Sequence, residues 1–184
     1  RRIWQELISG RSLPEPKSYF LFLEAIVKNL VFTRIDDRLI HGQVIATWLK
    51  TLSNVQHILV VDDKVSQDPF MQEMFSLLVP SHVTIEIRTV DEAAALLKAG
   101  LQKPTMMIVK VPQTIKSLIG KGADIDFINI GGMGMSAGRT KLYQNISASE
   151  EERQIFRELM AHGVKVEIQI IPAQKQTDMK KILK

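Results

Sequence analysis

The chain has 184 residues and a formal net charge of +4, and 45% of its residues are hydrophobic while 24% are charged. This balance predicts one globular domain with a sizeable core. The absence of cysteine excludes disulfides and thiolate metal sites, and the modest charge with only 6% aromatic residues argues against nucleic-acid binding. No apolar run approaches the ~20 residues that span a bilayer, so we expect a cytoplasmic protein.

The first 28 residues differ in composition from the rest of the chain. A short amphipathic segment at residues 3–8 is followed by a proline-rich stretch at residues 13–16. We interpret residues 1–28 as an N-terminal extension of unknown role, which could be a helical arm, the end of a linker, or a start-site or cloning remnant. The folded domain is predicted to span residues 29–184.

From residue 29 onward, short apolar runs rich in β-branched residues alternate with helical patterns. Several runs are almost continuously apolar, which is typical of strands covered on both faces. The pattern predicts an α/β fold with an open, mainly parallel twisted sheet of about seven strands and helices on both faces. The predicted strands cover residues 29–35, 57–63, 83–89, 105–111, 126–132, 141–147 and 164–171. The predicted helices cover residues 42–52, 66–78, 90–100, 112–120 and 147–163.

Two details of this pattern make specific predictions. The last helix should be capped by Ser147 or Ser149, carry acidic residues in its first turn, and be stopped by Gly163. The link between the predicted strands at 126–132 and 141–147 is too short for a crossover helix. Those two strands are therefore expected to be antiparallel neighbours, or a loop followed by an edge strand.

The segment RIDDRLIHG follows the first predicted strand and precedes the first helix of the domain. Ligands of open parallel sheets bind beyond the carboxyl ends of strands, and helix N-termini attract anions. His41 can act as a neutral nucleophile, Arg38 offers a fork of donors for phosphate, and Asp36 or Asp37 could accept the other ring N–H. These groups suit phosphoryl transfer. The alternatives are a surface ion-pair cluster, or a zinc site that lacks its second and third ligands.

The glycine loop GGMGMSAG at residues 131–138 follows another predicted strand. A dinucleotide fingerprint would require a helix next and an acidic residue ~20 positions later at a strand end. Here a strand-like run follows instead, which leaves a nucleotide- or dinucleotide-binding enzyme as the alternative function. The loop could also lie beside His41 and lend backbone N–H groups to a phosphate, or be a flexible turn.

The remaining polar residues are interpreted as structural. His57, His82 and His162 lie at a strand start, a turn and a helix end. Asp62 and Asp63 end the second strand and are expected to form a solvated strand end rather than the rim of a site.

Several motifs together resemble the IIB subunits of the mannose/fructose/sorbose family of bacterial sugar phosphotransferase systems (PTS), the EIIB type-4 domain. They are RIDDRLIHGQV with a following helix that contains Trp48, VVDD at 60–63, VPQT at 111–114, and NIGGMGMSAGRTKLYQNIS at 129–147. The resemblance covers residues 29–184. The last motif is more similar to the N-acetylgalactosamine or galactosamine branch of this family.

The resemblance implies a protein-N(π)-phosphohistidine–sugar phosphotransferase. His41 would accept a phosphoryl group from a phosphorylated IIA protein and pass it to a sugar held by the membrane subunits IIC and IID. The protein would work in the cytoplasm, at the inner face of the plasma membrane, without nucleotide, metal or organic cofactor. Arg38 and Asp36 match the family's loop residues beside the histidine. The predicted phosphate-binding residues are Gly42, Gln43, Gly132 and Met133.

Overall fold

The structure, a computed structural model, describes residues 29–183, apart from the side chains of Gln43 and Val44. The predicted N-terminal extension therefore lies outside the described residues. The strands of the described part are β1 (Leu30–Asp36), β2 (His57–Val61), β3 (Thr84–Arg88), β4 (Thr105–Val109), β5 (Phe127–Gly132), β6 (Thr140–Tyr143), β7 (Ile146–Ala148), β8 (Lys165–Ile168) and β9 (Thr177–Asp178). The α-helices are α1 (Gly42–Thr51), α2 (Pro69–Leu78), α3 (Val90–Ala99), α4 (Pro112–Gly120) and α5 (Glu150–Ala161). Short 3-10 segments cover Val65–Gln67 and Met179–Lys181.

The main sheet has seven strands in the order β3-β2-β4-β1-β5-β8-β9. All neighbours pair in parallel except β9, which is antiparallel to β8. The carboxyl ends of β4, β1 and β5 therefore meet at one edge, and the end of β1 is in register with the end of β5, Asp36 opposite Gly132. This arrangement places the loop after β1 between the loops that follow β4 and β5.

Each face of the sheet has its own hydrophobic core because side chains alternate along a strand. Leu59 and Val61 of β2 point to the core that packs α3, α4 and α5, whereas Ile58 and Val60 point to the core that packs α1 and α2. The α/β prediction with helices on both faces is confirmed. Since α1 and α4 leave β1 and β4 toward opposite faces, a crevice opens between those strand ends.

The predicted single strand at residues 141–147 is wrong. The chain turns at Gln144, whose φ of +48° is left-handed, and β6 and β7 form a separate two-stranded antiparallel sheet. Asn145 beside Gln144 favours such a turn, a signal hidden inside an otherwise strand-like run. The edge place next to β8 belongs instead to β9, whose two residues are too few to give a sequence pattern.

The helix boundaries follow the expected end chemistry. The Ser149 hydroxyl accepts a hydrogen bond from the backbone N–H of Glu152, and the Glu152 side chain accepts one from the Ser149 N–H, which makes a capping box for α5. The helix predicted from residue 66 begins at Pro69, because Asp68 caps it and proline suits the first helical position.

Candidate phosphoryl-transfer site

The loop between β1 and α1 is a tight turn followed by an extended residue. The Leu39 N–H donates to the Asp36 carbonyl at 2.9 Å, and Leu39 has a φ of +55°. A left-handed leucine costs about 1–2 kcal/mol, which the burial of the Leu39 and Ile40 side chains offsets. His41 is then extended, with φ −147° and ψ 130°, and α1 begins at the next residue. The imidazole thus lies at a helix N-terminus.

A buried carboxylate, Asp36, lies beneath this loop. Its Oδ2 accepts from Arg34 Nη2 at 3.0 Å, and its Oδ1 accepts from the Arg38 backbone N–H and Nε, each at 3.2 Å. The Asp36 side chain is fully buried and that of Arg34 nearly so, whereas the Arg38 side chain is 56% exposed. One carboxylate therefore connects a buried cation to a cation at the surface.

Arg34 is held on several sides by groups from distant parts of the chain. It donates from Nη1 to Asn129 Oδ1 at 2.7 Å and to the Gln169 carbonyl at 3.2 Å, and from Nη2 to the Ile170 carbonyl at 3.1 Å. Its guanidinium also lies 5.3 Å from the centre of the Trp48 ring. Burial lowers the pKa of Arg34 and the Asp36 carboxylate raises it, but a guanidinium stays charged in either case.

The His41 ring has a different polar group near each nitrogen. Its Nδ1 is 3.3 Å from the Leu39 carbonyl oxygen, and its Nε2 is 3.8 Å from Asp36 Oδ2, beyond hydrogen-bond distance. Nε2 is buried and has no hydrogen-bond partner among the described residues, although the side chain as a whole is 24% exposed. Burial lowers the pKa of His41, and Arg38 lowers it further, while Asp36 raises it. The imidazole is therefore mostly neutral at pH 7.

Two glycines of the loop 131–138 let this cluster form. A Cβ at Gly131 would lie 1.7 Å from Arg34 Cζ, and a Cβ at Gly132 would lie 2.5 Å from Asp36 Oδ1. Any side chain at either position would thus overlap the Arg34–Asp36 pair. The glycines serve the close approach of β5 to these side chains.

The glycine loop is fastened to the β1 loop by Asp37 and Arg139. The Asp37 N–H donates to the Gly132 carbonyl at 2.9 Å, and Asp37 Oδ2 accepts from the Gly134 N–H at 2.7 Å. Arg139 donates to the Gly134 carbonyl at 3.1 Å and binds both carboxylate oxygens of Glu152, at 2.6 Å from Nη2 and 2.9 Å from Nε. The Glu152 that caps α5 therefore also holds the glycine loop.

A cleft of about 650 Å³ opens between the loops that follow β1, β4 and β5. Its lining includes three cationic side chains, those of Arg38, Lys110 and Arg139, and one carboxylate, that of Asp37. An excess of positive charge suits a phosphate-bearing ligand.

Among the described residues, no group of three or more His, Asp or Glu side chains could hold a metal ion. None of the described helices combines the length and the apolar character that crossing a membrane requires.

Comparison with known proteins identifies the family. The family model of the PTS system sorbose subfamily IIB component matches residues 30–184. This chain belongs to that family. The chain is 31% identical to the fructose-specific EIIB component of Bacillus subtilis over 158 residues, which cover 85% of this chain and 96% of the relative.

Other relatives and solved structures agree with this assignment. The N-acetylgalactosamine-specific IIB component 1 of Escherichia coli is 29% identical, with 80% of this chain and 94% of the relative covered. The E. coli mannose-specific EIIAB component is 31% identical, with 79% of this chain but 46% of the relative covered. The crystal structure of the IIBSor domain of the Klebsiella pneumoniae sorbose permease gives a TM-score of 0.77 at 26% identity and covers 84% of this chain and 96% of that one. IIB components act as phosphotransferases of the sugar PTS.

The IIB fold brings most of the predicted site residues together. His41, Arg38 and Asp36 form one cluster, and Gly132 packs directly on it. Met133 lines the cleft, although its side chain is buried and its carbonyl already accepts from the Ser147 N–H at 2.7 Å.

The phosphate-binding roles of the helix-start residues Gly42 and Gln43 stay predictions. A Cβ at Gly42 would be in ordinary contact with Leu78, so its neighbours do not require glycine there. The side chain of Gln43 lies outside the described residues.

The predictions for the aspartates and for the dinucleotide alternative can be compared with the structure. Asp36 rather than Asp37 is the carboxylate near His41, since Asp37 binds the glycine loop. Asp62 accepts from the N–H groups of Lys64 and Val65, and Asp63 accepts from that of Val90, so both cap local structure. The dinucleotide alternative is not supported, because β6 rather than a helix follows the glycine loop.

Sequence reasoning missed four residues of the candidate site. Arg34 and Asn129 lie under the carboxylate, and Lys110 and Arg139 line the cleft. A signal for Arg34 existed, because a charged residue inside a strand buried on both faces needs a buried partner. Nothing local in the sequence marks Arg139, whose carboxylate partner is 13 positions away.

Proposed function

We propose that His41 of this IIB protein takes a phosphoryl group from a phosphorylated IIA protein and passes it to a sugar bound by the membrane subunits IIC and IID. The observation that carries this proposal is the neutral imidazole of His41, partly exposed at a helix N-terminus, beside Arg38 on Asp36. The names of the relatives, all sugar PTS components, support the same reaction. One of them is a combined EIIAB component, which agrees with a IIA donor.

The proposed cycle consists of two phosphoryl transfers. In the first, the lone pair of a His41 ring nitrogen attacks the phosphorus while the P–N bond of the donor phosphohistidine breaks and its electron pair returns to the donor ring. In the second, a sugar hydroxyl attacks, the P–N bond to His41 breaks, and the hydroxyl proton ends on the released imidazole. Both steps require mainly positioning and charge stabilisation, so no cofactor is invoked.

We assign the attack to Nδ1, the N(π) atom. Nε2 is buried and faces Asp36, so an Nε2–H directed toward that carboxylate would leave the lone pair on Nδ1. In the structure Nδ1 lies 3.3 Å from the Leu39 carbonyl oxygen, so attack through Nδ1 requires the ring to turn away from that carbonyl. Such a turn would have to bring Nε2, now 3.8 Å from Asp36 Oδ2, within hydrogen-bond distance of the carboxylate, which would then hold the proton on Nε2.

Arg38 and the start of α1 are proposed to hold the transferring group. The Arg38 guanidinium is exposed, lines the cleft, and is kept in place through its Nε by Asp36. The free N–H groups at the first turn of α1, from Gly42 onward, would add donors aimed at the phosphate oxygens. The charged fork of Arg38 and the helix N-terminus next to His41 would together stabilise the equatorial oxygens in the transition state.

The names of the relatives point to more than one sugar. Relatives named for fructose and N-acetylgalactosamine are similarly identical, at 31% and 29%. The leaning toward the N-acetylgalactosamine branch therefore stays a prediction.

The proposal is tested by phosphorylating the purified protein with two donors. One is the phosphorylated IIA component of the same transport system, and the other is phosphoramidate, a small donor whose P–N bond breaks to release ammonia. We expect His41→Ala to accept nothing from either donor, and Arg38→Met to react about 10²–10³-fold more slowly, as when one transition-state donor is lost. The exposed His82→Ala variant is the matched control. Acid-labile phosphate on His41→Ala at the wild-type level would refute the assignment.

A further inference from the structure

Helix α2 carries a row of apolar side chains that face outward. Phe70 is 69% exposed, Met74 42%, Leu77 75% and Leu78 38%. Residues at this spacing share one helix face, so they form a continuous band, called here the α2 stripe. Phe75 on another face of the helix is buried in the core and holds the helix to the sheet. Contiguous exposed apolar surface on a globular protein marks an interaction site.

One end of the α2 stripe lies beside the candidate site. A Cβ built at Gly42 would be 3.9 Å from Leu78 Cδ2, and Gly42 directly follows His41. At 1.5 Å per residue, the stripe extends about 12 Å along α2 from Leu78 to Phe70. A standard protein–protein contact covers about 800 Å² per partner, equivalent to a disc of about 16 Å radius. A protein centred on His41 would therefore cover most of the stripe.

We propose that the α2 stripe is the docking surface for the phosphorylated IIA protein, an inference that rests on the proposed function. A phosphohistidine on a protein must come within about 3–3.5 Å of the accepting nitrogen, so the donor protein has to contact the surface around His41. The cations of Arg38 and Lys110 attract its phosphoryl group, while the stripe supplies the apolar contact that neither cation provides.

The position of the stripe also argues against a permanent occupant. A second copy of this chain bound to the stripe would stand next to His41 and obstruct the approach of any phosphoryl donor or acceptor. A transient partner that brings the phosphoryl group itself is compatible with both the apolar surface and the open imidazole. The exposed Ser76 on the same helix lies away from the stripe and provides a control.

The experiment compares the two phosphoryl donors on the same variants. Phe70→Ser and Leu77→Ser, made singly in the full chain, should raise the KM for phospho-IIA about tenfold, the size expected for an interface anchor. Their rates with phosphoramidate should equal that of the wild type, because a small donor needs no docking surface. The control Ser76→Ala should leave both reactions within about twofold of the wild type.

The possible failures are distinguishable. If the wild type accepts phosphate from neither donor, the proposed function itself is wrong. If the wild type accepts phosphate but Phe70→Ser and Leu77→Ser keep the wild-type KM for phospho-IIA, the docking surface is wrong. Equal losses with both donors also overturn it, because they indicate a damaged site. A wild-type dimer that these substitutions convert to monomers identifies a second copy as the occupant and overturns it as well.

Discussion

Substitution of Arg34 by Met tests whether the buried Arg34–Asp36 pair supports the fold beneath the site. Methionine retains much of the apolar stem of arginine but removes the guanidinium that contacts Asp36, Asn129 and two backbone carbonyls. Among the described residues, Asp36 would then keep only the exposed Arg38 as a cationic partner within salt-bridge distance, apart from a His41 that is mostly neutral. The carboxylate would stay buried without its main compensation.

The expected cost follows from this burial. Removing one partner of a buried ion pair costs about 3–5 kcal/mol, a large part of the roughly 5–15 kcal/mol that keeps a domain folded. With a urea m-value of about 2 kcal/mol/M, a loss of about 4 kcal/mol lowers the unfolding midpoint by about 2 M. Urea unfolding followed by circular dichroism measures that shift. Phosphoramidate labelling of the still-folded variant should also slow, because Asp36 would no longer hold Arg38 and face His41 in the same way.

Two further variants make the result interpretable. Arg157→Met removes a surface cation that pairs with the exposed Glu150, and it should cost no more than about 1 kcal/mol. Adding Asp36→Asn to Arg34→Met removes both charges, so the double variant should lose about 1–3 kcal/mol less than the sum of the single losses. If Arg34→Met costs no more than Arg157→Met, or the two site substitutions add without coupling, the ion pair does not stabilise the fold and the reasoning fails.

Two other predictions concern the glycine loop and the imidazole. Gly132→Ala should destabilise the fold by about 1–3 kcal/mol and slow phosphorylation, because its Cβ would lie 2.5 Å from Asp36 Oδ1. Gly120→Ala should do neither, because a Cβ there would meet no described atom within 4 Å beyond its chain neighbours and its own helix backbone. Urea unfolding of both variants checks this. Because burial lowers the pKa of His41 below 6.5, its NMR titration midpoint should lie below that value, and a midpoint above it would contradict the buried geometry. As the pH falls from 6.5 toward that lowered pKa, the unfolded chain binds the proton first, so His41 makes folding less favourable in that window.

The sequence predicts most of the fold because the main strands are unambiguous. Buried β2 and β4 are almost wholly apolar, and each is flanked by amphipathic helices that end with recognisable caps or turns. The hairpin of β6 and β7 was not predicted, because a two-residue turn leaves the apolar pattern on either side nearly continuous. The short β9 depends on pairing with β8, which no local pattern encodes.

The site is less predictable than the fold, for a physical reason. One loop carries His41, Arg38 and Asp36, so their chemistry can be inferred from residues that are close together in the sequence. Asn129 and the carbonyls after β8 reach Arg34 across 95 to 136 positions. Those contacts depend on the order of strands in the sheet, which propensity and periodicity do not determine.

The glycine loop has a packing role that its sequence does not reveal. Sequence reasoning treats GGMGMSAG as a source of N–H groups for a phosphate, but Gly131 and Gly132 are packed face to face with Arg34 and Asp36. Because β5 pairs in register with the end of β1, these glycines lie directly against the ion pair. Arg34, which donates to the Asp36 carboxylate, is in turn bound by Asn129 of β5 and by the two carbonyls after β8. Phosphate acceptance by His41 should then depend on the whole sheet rather than on the loop that carries the histidine.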